Sequence, residues 1–341
     1  MSRFNGILTG ICMAAASLAG PALAVDSATL AAAKKEGEVV WYTTQILDPL
    51  VLRLQEAFRR DYGIEIKPVR SNSTEIALRV LAEGKAGRMQ ADVYDGTTTG
   101  EALKREGLAM KWLPDVARDL PADYVDPQGY WVATNYYLIT AAHNTDLLPP
   151  GKEPRSWNDL LNPALKGQIV WGNTVSISAG AGFIGLVLKE MGDEKGMAYL
   201  RKLSAQKIAG VQAAARVVLD QTIAGEYAVA LQIFPEHANG SAGKGAPIKW
   251  IPMQPAMSAV VSTTGITQGA PHPNAAKLLL EYLVSPAGQA IYRDAFYSPA
   301  NPAVLPIDPD FRPGAHRTVF LTPAEAMDAL PRWMQVFKDL F

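Results

Sequence analysis

The chain has 341 residues, 48% of them apolar, with 32 basic against 33 acidic side chains and a formal charge of −1. That near-balance lacks the basic excess that a nucleic acid or an anionic membrane attracts, so neither is expected as a partner. One cysteine, Cys12, excludes a disulfide framework, and the length suffices for two packed cores.

Residues 1–24 read as a cleavable export signal. Arg3 precedes an apolar run from Ile7 to Leu18, and Ala22-Leu23-Ala24 has the small-x-small pattern of a cleavage site. Gly10, Gly20 and Pro21 interrupt the run, which favours a signal over a membrane anchor. Ile11 stands where a lipoprotein would carry a small residue before Cys12. The working protein is expected to begin near Val25, in the periplasm and without cysteine.

Glu38–Tyr42 reads as a short buried strand, followed by a helix with Leu50, Leu54, Ala57 and Phe58 on one face. Gly63 stops that helix, and Ile64–Val69 is the next strand. Asn72–Glu75 has a capping pattern and opens a helix through Ile76, Val80 and Leu81. Ala91–Asp95 is a third strand, and a helix through Ala102 and Leu103 follows. Strands alternating with helices predict an α/β fold with a parallel sheet covered on both faces.

The pattern changes near Tyr130. Trp131–Ala142 is a long β-prone stretch, and Ser156–Leu161 reads as a short helix capped by Ser156. Strands are expected at Gln168–Trp171, Ala228–Phe234, Ile248–Pro252 and Ala259–Thr263, with a helix at Ala179–Leu188. Asn274 is expected to cap a helix through Ala275, Leu278, Leu279 and Tyr282. Thr322-Pro323-Ala324-Glu325 is a capping box for a last helix with Trp333, Val336, Phe337 and Leu340 on its apolar face. The whole reads as two α/β lobes. Residues 25–135 and 265–341 form lobe 1, and 136–264 are inserted as lobe 2. The crossings fall near residues 135–142 and 259–266.

In open α/β sheets a ligand sits beyond the carboxyl ends of the strands, beside helix N-termini that favour anions. Short polar side chains gather at such turns here: Thr43 and Thr44; Ser71, Asn72 and Thr74; Thr97 and Thr98; Asn173, Ser176 and Ser178. Each alone fits a helix cap, but four turns of one character fit one cleft. Arg70 ends a strand and Arg216 starts a helix, where a cation opposes the dipole and calls for an anionic partner. The ordinary alternative for Arg216 is an ion pair with Asp220 one turn later. Tyr42 and Trp171, at strand ends, and Tyr137 and Phe234 are candidate aromatic walls, with core packing as the alternative.

Several segments in order resemble the extracellular solute-binding proteins of bacterial ABC importers, in the group containing the ferric-iron-binding proteins. They run from Gly37–Thr44, Arg70–Glu75 and Ala91–Val93 through Asn144–Leu147, Pro154–Leu160 and Lys166-Gly167. Ala224–Tyr227, Gly269–Pro273 and Leu283–Gln289 complete the series. The resemblance implies a monomeric two-lobed receptor of the type 2 periplasmic-binding fold, its cleft spanned by two crossover strands. It would use no cofactor, catalyse nothing, and pass a small solute to an inner-membrane permease with a cytoplasmic ATPase. The chain departs from the iron binders at Leu231–His237, where no adjacent tyrosines stand. An anionic organic solute is therefore expected. The alternative is ferric iron or an iron chelate, with Glu75, Glu236 and His237 as another metal set.

Gly180-Ala181-Gly182-Phe183-Ile184-Gly185 matches a dinucleotide fingerprint, but it lies too far beyond its strand and lacks the acidic residue about 20 positions on. It reads instead as a helix start where a ligand or another helix approaches closely. An exported two-domain enzyme is a further alternative, although no nucleophile-and-base pattern occurs.

Overall fold

The computed structural model describes residues 26–341, so the proposed export signal and Cys12 lie outside the described residues. Its strands are β1 (Glu38–Thr43), β2 (Glu65–Arg70), β3 (Val93–Gly96), β4 (Val132–Asn144), β5 (Ile169–Gly172), β6 (Ala209–Val211), β7 (Val229–Ile233), β8 (Ile248–Ile251), β9 (Met257–Ile266), β10 (Ser298–Pro299) and β11 (Thr318–Phe320). Its helices are α1 (Ser27–Glu36), α2 (Leu52–Tyr62), α3 (Ser73–Lys85), α4 (Thr99–Arg105), α5 (Gly180–Met191), α6 (Asp193–Ser204), α7 (Ala215–Ile223), α8 (Pro235–Ala242), α9 (Pro273–Val284), α10 (Pro286–Asp294) and α11 (Pro323–Leu340).

The strands run in the order β2-β1-β3-β9-β4-β7-β5-β6. In lobe 1, β1 is parallel to β2 and β3, and β3 is antiparallel to the end of β9. In lobe 2, β5 is parallel to β6 and β7. Two strands belong to both. β4 pairs with β9 from Val132 to Ile139, then with β7 and β8 from Thr140 to Asn144. The fold is thus two-lobed α/β, with β4 and β9 as the crossings.

Period-two alternation sets the layers of lobe 1. Val39 and Trp41 enter the main core, while Tyr42 joins Ile76, Val80 and Tyr94 in a second cluster on the opposite face. Gly63 ends α2 with φ +73°, a left-handed conformation that costs glycine little. Asn72 caps α3, its side chain accepting from Glu75 N at 2.9 Å, and the capping box opens α11.

Two expectations are corrected. Asn274 does not cap α9. Its side chain donates to Glu36 Oε1 at 2.7 Å, and the Glu36 carboxylate also accepts from Ala275 N at 2.7 Å. A carboxylate from α1 thus meets the positive end of α9. The C-terminal helix, read as part of lobe 1, packs mainly on lobe 2. Phe337 and Phe341 lie 5.4 and 4.8 Å from the Trp171 ring, centre to centre. Lys189–Glu325 and Arg332–Asp193 ion pairs fix the same face, whereas Arg105–Asp328 reaches back to lobe 1 at 2.6 Å. Gly180 and Gly185 of α5 make this packing possible, so a helix is what approaches the run at its two ends. A β-carbon on Gly185 would stand 2.6 Å from three Trp333 ring atoms.

Replacing Gly185 with valine is accordingly expected to overpack this contact, at a cost of about 1–3 kcal/mol. The melting temperature should fall and α11 should become open to limited proteolysis. A wild-type melt with α11 still protected would contradict the packing argument.

Candidate functional site

The first turn of lobe 1 is built on a buried carboxylate. Asp95, at the end of β3, accepts from the Thr43 hydroxyl and from both the hydroxyl and N of Thr44, the last at 2.8 Å. Burial raises its pKa to about 6, against the lowering effect of those hydrogen bonds. Thr43 and Thr44 are therefore occupied in shaping the turn. The turn presents Gln45, whose Nε2 donates to Asn135 Oδ1 at 3.1 Å and Ser262 Oγ at 3.3 Å. Its Oε1 accepts from Tyr137 OH at 3.0 Å. One glutamine thus ties lobe 1 to both crossing strands.

The second turn faces lobe 2. Asn72 is used as a cap, Ser71 donates to Glu75, and Thr74 Oγ1 reaches Val175 O across the cleft at 3.5 Å. The opposing loop is held from behind, because Gln232 Nε2 donates to Ile177 O and Ala179 O at 3.2 and 3.3 Å. In that loop Ser176 Oγ lies 3.0 Å from Ser178 Oγ, and Asn173 Oδ1 is buried without a partner. Thr97 N donates to Ser73 Oγ at 3.2 Å, and Thr98 precedes α4 without making a side-chain cap.

A third cluster brings charges together from both lobes. Arg70 leaves β2 and donates from Nε to Gln45 O at 3.1 Å. Arg216 pairs with Asp220 at 2.6 Å and donates to Ser241 Oγ at 3.0 Å, so the one-turn ion pair is what offsets its position at the start of α7. His237 lies beside Arg216, whose Nη1 donates to its carbonyl oxygen at 3.5 Å, and it also feels the charge of Arg70. Desolvation first, then the charges of Arg216 and Arg70, push its pKa down to about 4. Its neighbour Glu236 is 9% exposed, and burial raises its carboxyl to about 8. Both Glu236 Oε1 and His237 Nδ1 are buried without a hydrogen-bond partner. The Phe234 ring lies 4.9 Å from Tyr137 and 5.4 Å from His237, and Tyr297 lies 6.0 Å from Tyr137.

Some expected site residues lie elsewhere. Tyr42 faces the second core, its hydroxyl donating to Glu83 at 2.6 Å and its ring covered by Arg79 at 4.5 Å. Trp171 is 0% exposed and surrounded by Phe183, Phe337 and Phe341, so it walls the core of lobe 2 and not a cleft. Both end strands as expected, but the side they face is covered. Glu75 is exposed and bound to Ser71, and no three His, Cys, Asp or Glu side chains converge for a metal among the described residues. The sequence reading missed Gln45, Asn135 and Tyr297. Asn135 did carry a signal, being a polar residue inside a strand buried along its whole length.

A family profile described as bacterial extracellular solute-binding protein matches residues 91–319. The chain belongs to that family. The solute-binding protein is also 32% identical over 158 residues to a probable ABC transporter periplasmic-binding protein of Sinorhizobium fredii, across 43% of this chain and 42% of that one. Its fold matches that of the periplasmic binding protein AfuA from Actinobacillus pleuropneumoniae with fructose-6-phosphate bound. The TM-score is 0.76 at 19% identity, over 89% of this chain and 99% of the other. Iron-bound HitA from Pseudomonas aeruginosa gives 0.72 at 21% identity, over 88% and 99%. These likenesses establish the two-lobed fold of the solute-binding protein.

Glu236 gives the folded protein a measurable pH dependence. Between its ordinary value of 4.5 and about 8, the folded state keeps a proton that the unfolded state releases, so stability falls as pH rises through that window. Glu236→Gln should remove this slope, raising the melting temperature relative to wild type at pH 8.5 far more than at pH 4.5. His237 works in the opposite sense between about 4 and 6.5, but it is common to both proteins and cancels. Equal differences at the two pH values would contradict the assignment.

Proposed function

We propose that this chain is the periplasmic capture component of an ABC importer. It closes its lobes on a small anionic organic solute and presents it to an inner-membrane permease driven by a cytoplasmic ATPase. Family membership and the Sinorhizobium fredii relative support the transport role. The approach of Arg70 and Arg216 from opposite lobes to His237 carries the choice of an anion. Arg216 already has Asp220, so of the two it is Arg70 that has no ion-pair partner among the described residues, with a guanidinium edge suited to a carboxylate or phosphoryl group. The sugar phosphate on AfuA has that character, whereas the iron on HitA would meet two guanidinium groups here.

On this reading residues 1–24 are the cleaved export signal and the protein works as a monomer. Residues 25–135 and 265–322 make up lobe 1, residues 136–264 make up lobe 2, and α11 travels with lobe 2 on closure. The Ser71–Thr74 and Ser176–Ser178 turns, which meet here through Thr74 and Val175, hold the solute from opposite lobes in the closed form.

The test is a thermal-shift panel of small carboxylates, phosphonates, phosphate esters and ferric citrate. A ligand at 100 times its Kd adds about 2.7 kcal/mol, which moves the melt by several degrees. Anionic organics should shift the protein and ferric citrate should not. Arg70→Ala should weaken binding on the order of 10–100-fold while leaving the ligand-free melt unchanged. A shift with iron alone, or unchanged binding in Arg70→Ala, would overturn the reading.

A further inference from the structure

Glu236 is a buried carboxyl beside the Arg70–Arg216 cluster that an anion leaves unused. It sits in the first turn of α8, 9% exposed, with Oε1 buried and unpartnered. None of the ion pairs among the described residues includes it, although Arg70 and Arg216 both bear on the next residue, His237. Its surroundings are aromatic. Its charge acts on the phenols of Tyr137 and Tyr297, and the Tyr137 ring packs against Phe234 and Tyr297 at 4.9 and 6.0 Å.

A carboxyl group removed from water without a donor is costly unless something completes it. The residue's own backbone N–H is the one donor the protein gives this carboxyl among the described residues, and Oε1 is left without any. A carboxylate flanked by aromatic rings suits an ammonium group, which gains a charge-assisted hydrogen bond from the one and quadrupole attraction from the others. We propose that Glu236 receives an amino group of the solute, so that the cargo is a small zwitterion. Its anionic end lies on Arg70, and its ammonium lies against Glu236 between Tyr137, Phe234 and Tyr297. This rests on the anion reading above and names the class of solute within it.

The proton inventory follows. Burial lifts the Glu236 carboxyl to about 8, which keeps it neutral at pH 7. The groups around it are Tyr137 on β4, Tyr297 beyond α10 and His237 on α8, with Arg70, Arg216 and Asp220 acting on His237 and Asp95 on the two phenols. Docking an ammonium ionises the carboxyl, and its proton leaves to solvent.

The experiment is isothermal titration calorimetry of the full protein at pH 7, in two buffers of different ionisation enthalpy. The probes are glycine, β-alanine, 4-aminobutyrate and the one- to three-carbon aminoalkylphosphonates. Each is set against its deaminated and its hydroxyl counterpart. At least one amine should bind more than about tenfold tighter than both counterparts, as a lost charged hydrogen bond implies. Its enthalpy should depend on the buffer in the sense of proton release. Glu236→Gln should lose both the preference and the proton release while still binding the anionic group. The proton count comes from the unaltered protein, so the test stands even where that variant fails to fold. Deaminated or hydroxyl anions that bind wild type as tightly and depend on Arg70 would overturn this inference and leave the anion reading intact. No binding by any probe, or binding indifferent to Arg70→Ala, would overturn both.

Discussion

The ladder between β4 and β9 is the constraint on which the rest depends. Both strands are buried along their whole length, and they pair antiparallel from Val132–Thr264 to Ile139–Ser258. Relative movement of the lobes twists this pair, because among the described residues no other paired strands run through both. The same strands carry Asn135, Tyr137 and Ser262, the three partners of Gln45. The floor of the cleft and its hinge are therefore made of the same residues. A buried side-chain amide that uses both ends in hydrogen bonds fixes where the first turn of lobe 1 sits relative to the hinge.

Local chemistry and long-range packing were legible in the sequence to different degrees. Caps and stops could be read directly, because Asn72, Gly63 and the Thr322–Glu325 box act within one turn of chain. The cap of α9 could not, since Glu36 comes from the far end of the chain. Tyr42 and Trp171 were rightly expected at strand ends. Alternation gives the faces of a strand, however, and not what covers them, so two core aromatics passed as cleft walls. The polar turns were visible as a set, but the side chains that occupy them were not. Thr43 and Thr44 are taken by Asp95, a residue 52 and 51 positions away. Gln45 carries no pattern in sequence and acquires its role only when three strands meet.

The cleft has an electrostatic character that the overall charge of −1 conceals. Burial holds the carboxyls of Asp95 and Glu236 above their ordinary values, to about 6 and about 8. It also keeps His237 uncharged at neutral pH, with a pKa near 4. Glu236 and His237 are thereby neutral where the lobes meet, and Arg70 is left to set the local field. A surface count of acids and bases carries no trace of this, because it arises from which groups are desolvated.

The C-terminal helix brings lobe 2 a share of its core from the last residues of the chain. Phe337 and Phe341 cover Trp171, and Trp333 rests on Gly185. The core around Trp171 and α5 therefore includes side chains from outside the segment 136–264, although that segment is continuous in sequence. As the chain emerges, N-terminus first, the apolar floor made by Trp171 and α5 has nothing to bury it. It stays uncovered until the final turn of α11 arrives. Burial of this aromatic floor is in this way tied to α11, and a chain lacking the last turn of that helix would leave aromatic surface open to its neighbours.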